Sequence, residues 1–508
     1  MPNIARAATA KPLRLVPHAD VANFDPIWNV AYIARNAGML VWDTLYGVDS
    51  AMVPQRQMVE AEEVSADGRV WTFRLRPGLR FHDGEPVLAR DAVASIQRWA
   101  ARDTMGQMLR GIETELAAVD DRTFRWTLRR PFPKMKLALG KIATPCCFIM
   151  PERIARTDPS RQIAEYVGSG PMRFKRDEWV PGARAVFERF DGYVARAEPA
   201  SWMAGGKRVA VPRTEWLTVP DPATASAALL NGEVDWWERA VQDLAPMLER
   251  NGDVVVRPQD GYGFVGLLIF NHLQPPFSDV RARRAVLMAL AQADYMRAIV
   301  GDDQSLWQTM PGFFPRKAAA FTDAGGEILA GARDIGAARQ ALASSGYKGE
   351  PVVLMAAQDI AYYKAFGEVT ADLLRQMGVK VDYVAVDWGT VVARRAKKTS
   401  AADGGWNLYI TAISAMDCLD PGSKWLSAKG DQFVNGWASS AAVQADIAAW
   451  YDAPDAGAEL AAARRTNEHA LEDGMYAPLG NYLVTSAWRK SVVGIQSAPM
   501  PFLWDVRV

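Results

Sequence analysis

Between Val70 and Trp99 the chain passes from strand to turn to turn to helix with no spacer, and this succession is the tightest constraint on its fold. Val70-Trp-Thr-Phe-Arg-Leu75 alternates with the period of two that a half-buried strand requires. Pro77-Gly78 supplies a turn in which proline presets φ and glycine takes a positive φ, and Asp83-Gly84 supplies a second. Asp91 stands before Ala92, Val93, Ile96 and Trp99, a spacing that suits one helical face, and is placed to cap the free amides of the first turn.

At 508 residues the chain exceeds the size over which one hydrophobic core keeps growing, so two or more lobes are expected. Lys plus Arg and Asp plus Glu both number 58, and without a long basic run this balance argues against nucleic acid as the partner. No apolar run reaches the roughly 20 residues that span a bilayer. Cys146, Cys147 and Cys418 have no metal-binding spacing, and the adjacent pair cannot form an ordinary disulfide, so three buried thiols are expected. Ala8-Thr-Ala10 resembles the end of a secretory signal whose apolar core is missing, and is read as a truncated remnant.

Catalytic and cofactor patterns are weak. His18, His82, His272 and His469 show no paired spacing for zinc, and His82 is expected to be structural. Gly168-Ser-Gly170 lacks the rest of a phosphate loop and is read as a backbone turn. Gly261-Tyr-Gly-Phe-Val-Gly266 matches a dinucleotide spacing but runs into an apolar strand where such a site needs a helix N-terminus. No catalytic residue, cofactor or metal is assigned.

The remaining pattern is mixed α/β. Leu13-Arg-Leu-Val-Pro17 reads as a first strand, and a helical stretch is expected to continue through Val41-Trp-Asp-Thr-Leu-Tyr46. The stretch from Pro222 to Asn231-Gly232 reads as a helix closed by glycine, leading to Trp236-Trp237, whose rings should face opposite ways in a strand. Pro351-Val-Val-Leu-Met355, a helix to Met377, and Val379-Lys-Val-Asp-Tyr-Val384 form a βαβ-like unit.

Four stretches resemble, in order, landmarks of the extracytoplasmic solute-binding proteins of ABC importers, in the class that includes dipeptide, oligopeptide and nickel binders. They are the 75–99 segment, Val167-Gly-Ser-Gly-Pro-Met-Arg-Phe174, Phe190-Asp-Gly-Tyr193, and the stretch from Phe270-Asn-His-Leu through Asp279-Val-Arg-Ala-Arg-Arg-Ala-Val286. The resemblance implies a periplasmic-binding-protein-like α/β fold, with two large mixed lobes, a cleft between them and a third, smaller domain. Domain I would comprise 11–55, 168–262 and 486–508, domain II 56–167, and domain III 263–485, with hinge crossings near 263–271 and 478–485. The implied function is capture of a small organic solute, peptide-like or otherwise amine-bearing, by hinge closure, and its delivery to an ABC permease with ATPase subunits. A monomer in the periplasm or an equivalent extracytoplasmic space is expected. An enzyme of the same fold, such as a hydrolase, and a sensory or chaperone-like binder are the alternatives.

Asp417-Cys-Leu-Asp-Pro421 is similar to the Asp-x-x-Asp-Pro pattern of the dipeptide-binding branch, whose first aspartate holds the ligand ammonium. The resemblance gives that role to Asp417, while capping of the next turn by Asp417 or Asp420 is the alternative. The branch has an arginine for the ligand carboxylate where this chain has Met355-Ala-Ala-Gln-Asp-Ile-Ala-Tyr-Tyr363, which weakens the case for a zwitterionic dipeptide and leaves Gln358 or Asp359 as hydrogen-bonding groups. Most aromatic residues will fill cores. Phe24, Trp28, Tyr262, Phe264, Trp406 and Trp236, with the softer Met416, are the ones read as ligand contacts.

Overall fold

The computed structural model describes residues 11–331 and 333–508, so the signal-remnant reading of the first ten residues falls outside it. The chain forms two compact units: residues up to Gly261 together with Val484–Val508, and Tyr262–Leu483.

The first unit contains β1 (Leu13–Val16), β2 (Tyr46–Val48), β3 (Pro54–Arg56), β4 (Val59–Val64), β5 (Val70–Leu75), β6 (Glu113–Ala118), β7 (Thr123–Leu128), β8 (Met172–Phe174), β9 (Arg184–Arg189), β10 (Arg213–Leu217), β11 (Trp236–Ala240) and β12 (Val254–Pro258). The second contains β13 (Phe264–Phe270), β14 (Trp307–Gln308), β15 (Val352–Ala357), β16 (Val381–Val386), β17 (Leu408–Ser414) and β18 (Ala477–Tyr482), after which β19 (Thr485–Arg489) returns to the first.

The first unit's main sheet has the order β12-β19-β11-β1-β10-β9-β8. β1 runs parallel to β10 and β11, while β19 is antiparallel to both β11 and β12. The carboxyl ends of β1, β10, β11 and β12 therefore share one edge. Against this sheet packs the helix Pro222–Asn231, which has Asp221 as N-cap, proline in its first turn and Gly232 in the left-handed conformation at its end, as its sequence requires. Trp237 joins the apolar cluster with Leu229 and Val234, whereas Trp236 donates its indole N–H to Ser486, so the two rings do part as strand alternation demands.

A separate antiparallel sheet, β4-β5-β7-β6, lies within the first unit. Phe73 and Phe124 are register partners whose rings stack at 4.9 Å. The helix Ala89–Ala100 that follows buries Ala92, Ile96 and Trp99, but Asp91 is not its N-cap. That position belongs to Leu88, and Asp91 is the third residue of the helix's first turn, reaching back to the Leu88 amide at 2.8 Å and across to the Glu152 amide at 2.7 Å. A second correction concerns the first helix, Tyr32–Val41, which stops short of Tyr46. Gly170 donates to the Val41 carbonyl and Ser169 accepts the Asp43 amide, so the incoming turn takes the groups on which another helical turn would have been built.

The second unit's sheet has the order β14-β18-β13-β17-β15-β16. β15 is parallel to β16 and β17, while β13 runs against β17 and β18. The carboxyl ends of β15, β16, β17 and β18 thus lie along one edge, where β13 begins. The connection from β15 to β16 through the helix Ala361–Gln376 is the βαβ unit read from sequence. Cys146, Cys147 and Cys418 are buried thiols, as expected. Among the described residues no helix is long and apolar enough to cross a membrane.

Candidate functional site

Carboxyl ends of parallel strands leave loops whose backbone is fixed at one end by the sheet and whose side chains are free to vary, which is why small-molecule sites gather there. In the second unit, β17 is buried along its whole length and ends at Ser414, whose hydroxyl accepts the Met416 amide and opens a single 3-10 turn, Ala415–Cys418. Ala415 donates to the Gly263 carbonyl at 2.9 Å, tying this turn to the segment just before β13. Asp417 stands in the turn at 7% exposure, and its carbonyl accepts the Ser423 hydroxyl at 2.5 Å. Asp420 has the turn-forming role: its carboxylate accepts the Gly422 amide and its carbonyl accepts the Ser423 amide.

The neighbouring strand ends supply an aromatic wall. Tyr363 lies 4.7 Å from Tyr362 and 4.9 Å from Trp388 between ring centroids, and Tyr482 packs on Tyr362 and Phe264 at 6.1 Å each. Phe264 is the register partner of both Ser414 and Tyr482, which puts it at the start of the same edge. Tyr262 precedes it, its carbonyl held by Asn481 and its ring 5.7 Å from the Lys317 ammonium. Gln358 follows β15, where its amide nitrogen faces the Ala356 carbonyl and the Tyr383 hydroxyl. Asp359 accepts the Trp388 amide. Asp417, Met416, Asp420, Gln358, Phe264 and Tyr262 are thus assembled on one edge by strand direction.

Trp406 is not part of that group. It precedes β17, so all seven strand residues, a length of about 23 Å, separate it from the Asp417 turn. There it is fully buried against Tyr409 and Trp437, donating its indole N–H to Arg395. Arg395 went unremarked in the sequence, yet its guanidinium sits 5.4 Å from the Trp388 ring centroid, 5.8 Å from Tyr409 and 5.7 Å from Phe433.

Three other sequence candidates belong to the first unit. Phe24 is 1% exposed in a ring cluster with Trp42, Tyr166, Phe174 and Phe187, the arrangement of a core aromatic. Trp28 donates to the Ser160 carbonyl, and Trp236 is held by Ser486 as described.

The first unit's main sheet has polar chemistry that sequence reading missed. Glu238, in the middle of β11, accepts from the His18 backbone amide and from the His18 ring at Nδ1, both at 2.8 Å, and from the Asn36 side-chain amide at 3.3 Å. Burial would raise the Glu238 pKa, but the His18 bonds and the Arg239 charge hold it down at about 2. Burial lowers the His18 pKa, leaving a neutral ring that donates from Nδ1. No pairwise spacing in the sequence signals this contact, since 220 residues separate the partners.

The landmark stretches meet in a different, structural network. His82 bonds both Gly168 and Gly170 and packs edge-on to Phe190, while Tyr193 donates to Asp43 at 2.7 Å. Asp43 also receives the Lys207 ammonium at 2.8 Å, both side chains being essentially inaccessible. Burial opposes the charge on Asp43, yet Lys207 and Tyr193 keep its pKa below the ordinary value. Elsewhere in this unit, an open polar cavity is lined by Glu62, Arg56, Lys136 and Tyr46, whose polar groups already bond one another. Among the described residues, no group of three His, Cys, Asp or Glu side chains is arranged to hold a metal ion.

Comparison with known proteins places these features in a family. Residues 53–432 match the model of the bacterial extracellular solute-binding proteins, family 5. The chain is 34% identical to the probable peptide ABC transporter periplasmic-binding protein y4tO of Sinorhizobium fredii, with 100% of this chain and 96% of that one covered. Among solved structures, it resembles the periplasmic binding protein DppA from Helicobacter pylori in complex with the peptide STSA, with a TM-score of 0.82 at 19% identity over 98% of each chain. It also resembles AgaA from A. tumefaciens R10 in complex with agropinic acid, with a TM-score of 0.81 at 20% identity over 97% of this chain and 96% of that one.

Proposed function

The chain belongs to the family 5 bacterial extracellular solute-binding proteins, and from that premise we propose that it captures an amine-bearing, peptide-like solute through Asp417. It is the substrate-binding component of an ABC importer, and its work is recognition and delivery, with no covalent step. The solute passes to a membrane permease powered by ATPase subunits, and the binding protein acts as a monomer outside the cytoplasm.

The observation that carries the reading is the buried carboxylate of Asp417 on a turn anchored at both the β17 and β13 sides. A carboxylate withdrawn from water interacts strongly with an ammonium group brought against it, because the surrounding dielectric screens the pair weakly. Met416, Phe264 and Tyr262 supply apolar and aromatic surface along the same edge, and Gln358 supplies a neutral polar group. Peptide chemistry is also what the names of y4tO and of the DppA complex describe, whereas AgaA was solved with agropinic acid. On this reading 11–55, 168–262 and 486–508 act as domain I, 56–167 as domain II and 263–485 as domain III, and closure turns on the crossings near 263–271 and 478–485, beside the points 261–262 and 483–484 where the chain passes between units.

Calorimetric titration of the purified protein with a panel of di- to tetrapeptides, N-acetylated peptides and opines tests the proposal. Binding of free-amine solutes is expected, with acetylated forms weaker, and Asp417→Asn should cost about 2 kcal/mol or more, roughly thirtyfold in Kd. An unchanged Kd in Asp417→Asn would remove Asp417 from the recognition role.

A further inference from the structure

At the end of β12 stands a polar side chain with both its donor and its acceptor withdrawn from water and from protein partners among the described residues. Gln259 follows β12 directly and is 6% exposed, and neither its Nε2 nor its Oε1 meets a hydrogen-bond partner among the described residues. Its main chain is not loose: the amide donates to the Val484 carbonyl at 2.8 Å, and the carbonyl accepts the Ala498 amide at 3.1 Å. The side chain therefore springs from a backbone held on both sides.

Other polar groups of the sheet contrast with it. Thr485 donates its hydroxyl to Gln242 at 2.7 Å, and Glu238 takes its bonds from His18 and Asn36. These groups answer one another within the protein, while the Gln259 carboxamide keeps one donor side and one acceptor side in hand. A buried carboxamide without partners is costly, and a leucine or methionine would fill similar space without that cost. An ammonium could satisfy only its oxygen and a carboxylate only its nitrogen. A peptide backbone satisfies both at once, since the C=O and N–H of one extended residue point to the same side and can meet Nε2 and Oε1 respectively.

We infer that Gln259 is a specificity-determining residue whose carboxamide pairs with the peptide N–H and C=O of one residue of the solute. The inference rests on the peptide-like reading above and adds to it a neutral group that selects for the amide linkage, separate from the recognition of the amine by Asp417. It also explains how a chain without the branch's carboxylate-binding arginine would still favour peptides, by reading the linkage.

The test uses trialanine and its two depsipeptide analogues, in each of which one peptide N–H is replaced by an ester oxygen, titrated into the full-length wild type, Gln259→Leu and Gln259→Met. Circular dichroism and melting temperature establish that the variants are folded. In the wild type, one of the two ester analogues should bind at least tenfold more weakly than trialanine. Both variants should bind trialanine at least tenfold more weakly than the wild type does and lose the discrimination between amide and ester. Folded variants that bind and discriminate like the wild type overturn the role of Gln259 while leaving the peptide reading intact. A wild type that binds none of the three compounds overturns the peptide reading, and this inference with it.

Discussion

His82, His272 and His18 are imidazoles that the fold holds neutral, and they determine how it responds to acid. Burial is the main cause in each case, lowering the pKa of His82 to about 4 and of His272 to about 3, with Arg173 and Arg283 respectively adding to the effect, and lowering that of His18 as well. In the unfolded chain each would titrate near 6.5, so below that pH the unfolded state binds more protons than the folded one. Stability is therefore complete above about pH 6.5 and declines as pH falls, down to about 4 for His82 and about 3 for His272. His469 shifts the opposite way through its bond to Asp446, but it is partly exposed, so solvent screening leaves it a smaller offset. The melting temperature should fall steadily from pH 6.5 to 4. His82→Gln, which can still bond Gly168 and Gly170, should remove up to about 1.4 kcal/mol per pH unit from that slope. A pH profile with the same slope in the variant would refute the assignment. The structural role of His82 was legible because it sits between turn residues. The His18–Glu238 contact was not, because the partners meet only when β1 and β11 pair.

At the scale of elements, the Gly168-Ser-Gly170 turn shows what a landmark is for. A Cβ at Gly168 would fall 1.8 Å from the Val41 carbonyl oxygen, and one at Gly170 would fall 2.7 Å from the Leu40 carbonyl oxygen. These glycines let the turn press against the end of the helix Tyr32–Val41 and terminate it. Gly168→Ala should destabilise the protein by about 1–3 kcal/mol, measured by urea unfolding, because the clash is with backbone that cannot swing aside. A variant as stable as the wild type would show that the close approach is unimportant. Elements governed by local signals were readable: Asp221, Pro222 and Gly232 mark both ends of their helix without reference to the rest of the chain. The end of the first helix was misread for the converse reason, since its stop signal lies more than a hundred residues away in Gly170. Asp91 does lie in the first turn of its helix, but three residues past the cap, because a carboxylate at either position leaves the same apolar spacing.

For the whole molecule, the arrangement of two units with the chain crossing between them at 261–262 and 483–484 predicts a shape response. Saturation with a bound peptide should reduce the radius of gyration measured by small-angle X-ray scattering, and a hundredfold excess over Kd should add about 2.7 kcal/mol of stability. An unchanged radius at saturation would exclude closure about these segments. The sequence by itself determined the α/β class, the family and those strands and helices whose signals are local, because alternation, capping and turn chemistry act over a few neighbouring residues. Only the tertiary structure decided which side chains share an edge. It grouped Asp417 with Phe264, separated Trp406 from both by the length of β17, and left Gln259 as the unanswered amide beside strands brought together from the two ends of the chain. Those relations depend on strand order and direction, which long-range pairing sets and which no local stretch of sequence encodes.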